Sequence, residues 1–295
     1  MSLRSPLRYP GGKARLAPWL AWSLHRNGLH GPVFIEAYAG GAGASIYLLA
    51  NHYVSRIEIN DIDPAVAAFW RSAVYRSGDF AERIGRIPIT LEERDRQKEV
   101  LKSPERHSDF DLGFAAWYLN RVNYSGIIRG GPIGGRRQGG AFRLDARFNR
   151  PSLMRNILAL GELSSRIRVH QRDALDLLGK VVPEGGGDVC VFLDPPYFHK
   201  SGGLYENGLD REDHRAVSET VRALGSPWIM TYDNCAEIAA LYRGMAYYEF
   251  SVTTHAGMHR GASAEILIYG NLSLPCPPCL LRTTGPIPDG NPRRW

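Results

Sequence analysis

Nine consecutive residues constrain this chain more than any others: Val189-Cys190-Val191-Phe192-Leu193-Asp194-Pro195-Pro196-Tyr197. Five apolar residues in a row, bounded by turn residues, predict a strand buried on both faces. Proline carries no backbone N–H, so the strand stops at the acid. The two prolines then leave the backbone little freedom. A stiff corner follows at the C-terminal end of a buried strand, the edge at which open α/β sheets bind ligands. It presents a carboxylate, a proline-capped carbonyl and an aromatic face within four residues. A flat base with an amino group has a use for all three. An isolated corner of this kind is more often an ordinary strand-to-turn junction, so the rest of the chain must supply the weight.

A chain of 295 residues holds one large α/β domain or two small ones, and 44% hydrophobic residues are enough for a substantial core. No apolar run approaches membrane-spanning length, and Met1 to Pro6 lacks the apolar stretch of a signal peptide. Of the four cysteines only Cys276 and Cys279 are close. That usage suits a reducing cytoplasm, and with no second pair at zinc spacing no metal site is expected. The net charge of +6 is compatible with nucleic acid without requiring it.

In chain order, Arg8-Tyr9-Pro10-Gly11-Gly12-Lys13 places an aromatic, a turn and a cation before an apolar-periodic helix through Leu16, Trp19, Leu20 and Leu24. Lys13 is read either as a contact to an anionic ligand group, with Tyr9 as a wall, or as a solvated lysine. Spacing alone favours the second. Val33 to Ala37 is the first strand and runs into Tyr38-Ala39-Gly40-Gly41-Ala42-Gly43 and a helix. Strand, glycine loop and helix make half of a nucleotide-binding βαβ unit, although not the dinucleotide fingerprint. The next strand, Ile57 to Asn60, ends in Asp61-Ile62-Asp63-Pro64, about twenty residues after the glycines, where an acid commonly meets ribose hydroxyls. Asp63 is expected to cap the helix that Pro64 opens, and Asp61 to meet ligand.

A charged, helical stretch, 78–108, leads to a helix through Leu112 to Leu119 and then to a glycine-rich segment. Residues 121–150 carry seven arginines (Arg121, Arg129, Arg136, Arg137, Arg143, Arg147 and Arg150) against the single acid Asp145. That surplus equals the excess of the whole chain. Arginine with Tyr124 and Phe142 interleaved suits phosphate clamping, base-edge contacts and stacking. Ser152 is the expected cap of the next helix. Ile167 to His170 is a short strand, after which Asp173 either caps a turn over Ala174 to Leu178 or accepts a hydrogen bond from an adenine amino group. Beyond the central corner come a flexible loop at 200–203, a helix opened by Asp210, and a buried strand Trp228 to Tyr232. A closing antiparallel pair, Tyr247 to Val252 and Ile266 to Tyr269, flanks a loop over 255–261. The tail from Ser273 is rich in proline and glycine.

In this order the motifs resemble the Dam-like, D12 class of DNA adenine-N6 methyltransferases. The resemblance rests on Arg8 to Lys13, Glu36 to Gly43, Asn60 to Asp63, Asn120-Arg121…Tyr124…Gly126…Arg129, and Asp194 to Tyr197, and covers roughly residues 8–272. It implies S-adenosylmethionine as cofactor, double-stranded DNA as partner and a seven-stranded, mostly parallel sheet with a closing hairpin. The implied layout is a catalytic core of 1–77 and 151–272, a target-recognition insert of 78–150 and a tail of 273–295. The cofactor set becomes Tyr9, Lys13, Glu36, Ala39, Gly40, Gly41, Gly43, Asp61, Asp63, Asp173 and Asp194. The DNA set becomes Arg121, Tyr124, Arg129, Arg136, Arg137 and Arg143, with Tyr124 matching an intercalating aromatic. The family often has Gly-x-Phe-Asn-x-Pro where this chain reads Gly140-Ala141-Phe142-Arg143-Leu144-Asp145, which leaves the target sequence open. A cognate restriction endonuclease and a cytoplasmic location fit the same picture.

The expected catalytic residues are Asp194, Pro195, Pro196 and Tyr197. The adenine N6 lone pair is delocalised into the ring. Acceptors on both N6 hydrogens localise it and stabilise the charge that develops as a methyl group arrives. Tyr197 would stack on a base extruded from the duplex. Cytosine-N4 methylation usually has serine in place of Asp194, and protein-glutamine or RNA methylation a related Asn-Pro-Pro-Tyr corner. A DNA-binding module on a degenerate cofactor fold is the non-enzymatic alternative.

Overall fold

The computed structural model describes residues 3–9, 12–182, 188–198, 209–254, 261–274 and 276–278. Pro10 and Gly11, the 200–203 loop, residues 255–260 and the tail from 279 onward, including Cys279, lie outside the described residues.

The strands are β1 (Val33–Glu36), β2 (Arg56–Asn60), β3 (Ile167–His170), β4 (Val189–Leu193), β5 (Trp228–Asp233), β6 (Ala246–Thr254) and β7 (Gly261–Gly270). They form one sheet in the order β3-β2-β1-β4-β5-β7-β6. β1 lies parallel to β2 and β4, and β4 parallel to β5, while β7 enters antiparallel between β5 and β6. This is the seven-stranded α/β sheet that the resemblance implies, with its closing hairpin. β4 is buried at every position, as its unbroken apolar run requires. The strand order reverses between β1 and β4, so the C-terminal ends of these two strands flank the switch point where such sheets hold ligands.

The helices are α1 (Ala17–Arg26), α2 (Gly43–Ala50), α3 (Pro64–Tyr75), α4 (Ser77–Arg86), α5 (Leu91–Lys102), α6 (Asp109–Val122), α7 (Arg150–Gly161), α8 (Ala174–Val181), α9 (Arg211–Ala223) and α10 (Ala236–Leu241). Three differ from the sequence reading. α7 begins earlier than a Ser152 cap allows: Asn149 is the cap, and the Ser152 N–H donates to its Oδ1 at 3.0 Å. Pro151 is no obstacle, because the first turn has no intrahelical use for its missing N–H. The turn read at 174–178 is the start of helix α8, and the six-residue α10 was not anticipated.

The chain forms two compact units. One comprises Met1–Gly12 with Asp63–Gln171, the other Lys13–Ile62 with Arg172–Trp295. The first unit is wider than the 78–150 insert because α3 packs on α6 and α4 on α7, around Phe80, Phe114 and Trp117. The N-terminal segment belongs to it as well. Asn120 accepts from the Arg8 N–H and donates to the Arg8 carbonyl, both at 2.8 Å, and Asn156 does the same for Arg4 at 3.2 and 2.8 Å. In the second unit β1, β4 and β5 share a core with α8, α9 and α10 through Ile35, Val191, Met230, Leu177, Val217 and Ile238.

Candidate functional site

Asp194 follows β4 directly, so the buried strand fixes its position at the sheet edge. Its two oxygens are held separately. Lys13 Nζ donates to Oδ2 at 2.9 Å, and the Thr231 hydroxyl donates to Oδ1 at 2.6 Å. Lys13 is itself only 8% exposed, so the solvated reading does not hold. It also donates to the Tyr197 hydroxyl at 2.9 Å and lies 3.7 Å from Glu265 Oε2. Burial, and then the nearby Asp194 charge, raise the Tyr197 phenol well above its ordinary range, so it stays neutral. Lys13, Asp194 and Tyr197, 184 positions apart at the extremes, form one polar cluster in which Lys13 and Tyr197 are buried and Asp194 keeps partial exposure.

The glycine loop belongs to the same unit and follows β1, the strand paired parallel with β4. Gly40 adopts a φ of +46° and Ala42 one of +43°, both left-handed. The Gly40 N–H donates to Asp61 Oδ2 at 2.9 Å, and the Ala39 N–H to the Asn60 carbonyl at 2.8 Å. The loop after β1 is thereby tied to the end of β2. Asn60 adds a third strand end: its amide donates to the Ala37 and Arg172 carbonyls at 2.9 and 3.1 Å and accepts from the Arg172 N–H. At Gly43 any Cβ would come within 2.9 Å of the Ala14 Cβ, so packing of α2 against the Lys13–Arg15 turn already demands glycine there. Glu36 is fully buried and accepts from both the N–H (3.2 Å) and the hydroxyl of Ser45. Burial raises its carboxyl to about 7 against those two bonds.

Two other expected ligand acids act as caps. Asp63 accepts from the Ala65 N–H at 2.8 Å, as anticipated, and also pairs with Arg129 at 2.9 Å. Asp173 accepts from the Leu175 and Asp176 N–H groups at 2.9 and 3.2 Å, so of its two readings the geometry carries the cap. Tyr9 lies in the other unit, partly exposed, with its carbonyl accepting from Gly12 at 3.2 Å.

The glycine-rich segment of the first unit is stapled from behind. Asn123 is fully buried; its amide donates to the Ile127 and Ile128 carbonyls at 3.0 and 2.7 Å, and its Oδ1 accepts from Arg94 Nε at 2.8 Å. Arg94 reaches on to the Gly130 carbonyl at 2.7 Å. With the turn so held, Tyr124 stands 54% exposed and Phe142 66% exposed. Arg137 and Arg143 are exposed as well. Arg136 is exposed but bound to Asp95 through both guanidinium NH2 groups at 3.2 and 2.9 Å. Arg121 departs from the expected DNA-facing set. Its guanidinium is turned inward onto the Pro6 carbonyl, and burial, aided by neighbouring Arg8, pushes it down to about 10. It fastens the N-terminal segment to α6.

A family model described as D12 class N6 adenine-specific DNA methyltransferase matches residues 9–256. The chain belongs to that class. S-adenosylmethionine is therefore the methyl donor of this methyltransferase, and DNA its substrate. Among solved structures it is similar to a candidate RNA methyltransferase from Pyrococcus horikoshii, at 12% identity over 89% of this chain and 84% of that one, with a TM-score of 0.41. It is also similar to precorrin-6y C5,15-methyltransferase from Geobacter metallireducens, at 13% identity over 84% and 86% of the two chains, with a TM-score of 0.33. No curated protein matches it. Among the described residues of the methyltransferase no helix is long and apolar enough to cross a membrane, and no cluster of acids, histidines and cysteines is suited to a metal.

Four residues of the methyltransferase that hold its site together escaped the sequence reading as site residues: Asn60, Thr231, Asp233 and Glu265. Asp233 accepts from the Phe198 N–H at 3.1 Å, just past the Asp194 corner. Only the strand-end position of Asn60 and Asp233 gave any signal.

Proposed function

We propose that this methyltransferase modifies the N6 amine of one adenine within a specific duplex sequence, after that base has left the stack. The observation that carries the proposal is the Asp194 carboxylate, fixed at the end of β4 by one bond to each oxygen. A carboxylate has about four lone-pair sites, so acceptor capacity remains. Asp194 and the Pro195 carbonyl accept the two N6 hydrogens, localise the nitrogen lone pair and stabilise the positive charge that grows on it. Asp194 need not take a proton first. Pro196 keeps the corner stiff. Tyr197, its hydroxyl tethered to Lys13, stacks on the extruded base.

S-adenosylmethionine, when bound, supplies a methyl group on a sulfonium. The residues present fit a nucleoside of this kind: left-handed backbone at Gly40 and Ala42 permits close approach, and the Asp61 carboxylate at the loop is an acceptor for hydroxyls. We assign Glu36, Ala39, Gly40, Gly41 and Asp61 to its surroundings. The other unit reads DNA through Tyr124, Arg129, Arg137 and Arg143. The proposal extends to action in the cytoplasm, with a restriction endonuclease of the same target sequence as functional counterpart.

Asp194→Ala tests the assignment. Methyl transfer to duplex DNA should fall by at least about a hundredfold, as for loss of a key charge-stabilising group. The variant should still melt cooperatively, though at a lower temperature, because buried Lys13 and Thr231 each lose a partner. Near-normal turnover by the folded variant would overturn it.

A further inference from the structure

We propose that Thr231 and Glu265 are positioning residues for the Asp194 carboxylate, the first acting directly and the second through Lys13. The inference rests on the reading of Asp194 as acceptor of the N6 hydrogens.

A carboxylate at the end of a strand turns about two side-chain bonds, and an acceptor that must meet a base amine has to be held in one plane. Thr231 is fully buried within β5, and its hydroxyl meets Asp194 Oδ1 at 2.6 Å, a short, charge-assisted bond. A hydroxyl in the middle of the apolar run Trp228-Ile229-Met230 and Tyr232 is costly unless it is bonded, and Asp194 is its partner. With Lys13 on Oδ2, the two oxygens are pinned from two directions.

Glu265 comes from β7. The antiparallel register sets Thr231 opposite Leu267 and Asp233 opposite Glu265, so Glu265 lies on the same sheet face as Thr231. It is 3% exposed, and its Oε2 is 3.7 Å from Lys13 Nζ. The ammonium is thus drawn by two carboxylates. An ammonium held by Asp194 alone would withdraw more of that carboxylate's negative potential, and a base amine would find a weaker acceptor. Glu265 divides the charge of Lys13 and sets where it stands.

The test compares Thr231→Val, Thr231→Ser and Glu265→Gln with the unaltered protein on one duplex substrate under saturating S-adenosylmethionine, with Lys13→Gln and Asp194→Ala as reference backgrounds. Thr231→Val keeps volume and removes the hydroxyl, whereas Thr231→Ser keeps the hydroxyl and removes a methyl group. Thr231→Val should lower kcat about tenfold or more, the value of a hydrogen bond to a charged group. KM for DNA should stay within about twofold, since a residue acting on the transfer step leaves ground-state binding alone. Thr231→Ser should restore most of the rate. The reverse order, with Val active and Ser impaired, would mark a packing role and overturn the inference for Thr231. Glu265→Gln should lower kcat with the same KM split, and its effect should largely vanish in a Lys13→Gln background. Additive losses would overturn the inference for Glu265. Thermal melts of all variants exclude misfolding as the cause. If Asp194→Ala is inactive while Thr231→Val and Glu265→Gln are both normal, only this inference fails. If Asp194→Ala is active, the underlying reading fails first.

Discussion

Glu36 ends β1 in a place where no carboxylate ionises cheaply. It is buried, and its two bonds from Ser45 only partly offset the cost of ionising it there. In the unfolded chain its carboxyl titrates near the model-peptide value of 4.5; in the fold, burial holds it at about 7. Between those values the folded state binds the extra proton, so stability is greatest below pH 4.5 and falls as pH rises to 7. The full span is worth about 3 kcal/mol. Glu36→Gln should remove that part of the pH dependence, so its stability relative to the unaltered protein should rise between pH 5 and 8. Urea unfolding at the two pH values measures it, and an equal pH effect in both proteins would place the pKa shift elsewhere.

Among elements, β4 was legible because an unbroken apolar run and two prolines leave one reading, and the structure agrees at both ends. β1 and β2 were legible from the glycine loop and the acids that follow them. The brace around Asp194 was not. Thr231 and Glu265 are single polar residues inside apolar strands, 34 positions apart, and only the antiparallel register of β5 and β7 brings them to one face. The order of the glycine-rich segment was equally hidden. Composition suggests a mobile loop, but Arg94, from α5, supplies the staple together with Asn123. The pairing of Arg136 with Asp95 revises what its charge is worth to DNA. Loss of Arg137, exposed and unshielded by that acid, should reduce the magnitude of the log–log salt slope of duplex binding by about one. Arg136→Ala should also weaken binding, because it exposes Asp95 to the phosphates, and Asp95→Ala should partly reverse that loss. Affinity measured from low to moderate salt for the three variants decides it. An unchanged slope in Arg137→Ala would move the phosphate contacts to other residues.

Across the whole molecule, the two tyrosines proposed to meet bases differ in setting: Tyr124 is 54% exposed in one unit, while Tyr197 is 9% exposed in the other. Their proposed duties differ accordingly. Tyr124 props the duplex where a base has left, and Tyr197 receives that base. Stacking losses of ~1–3 kcal/mol are expected for either. A mispaired target adenine lowers the cost of extrusion. It should therefore rescue Tyr124→Ala in part and leave Tyr197→Leu unrescued, with kcat/KM compared on paired, mispaired and single-stranded substrates. Equal rescue of both variants would show that they share one duty.

The tether between the N-terminal segment and α6 bears on engineering. A designer seeking a new target sequence would graft the arginine-rich stretch as a cassette, cutting near 78 and 150. Such a graft would separate Asn120, Arg121 and Gly126 from the strand of chain they were shaped around. Gly126 leaves no room for a Cβ against the Arg8 carbonyl, and Asn120 clasps both polar groups of that residue. The unit proposed to read DNA therefore has two pieces, Met1–Gly12 and Asp63–Gln171. Chimeras that exchange both together should stay folded where single-piece chimeras aggregate.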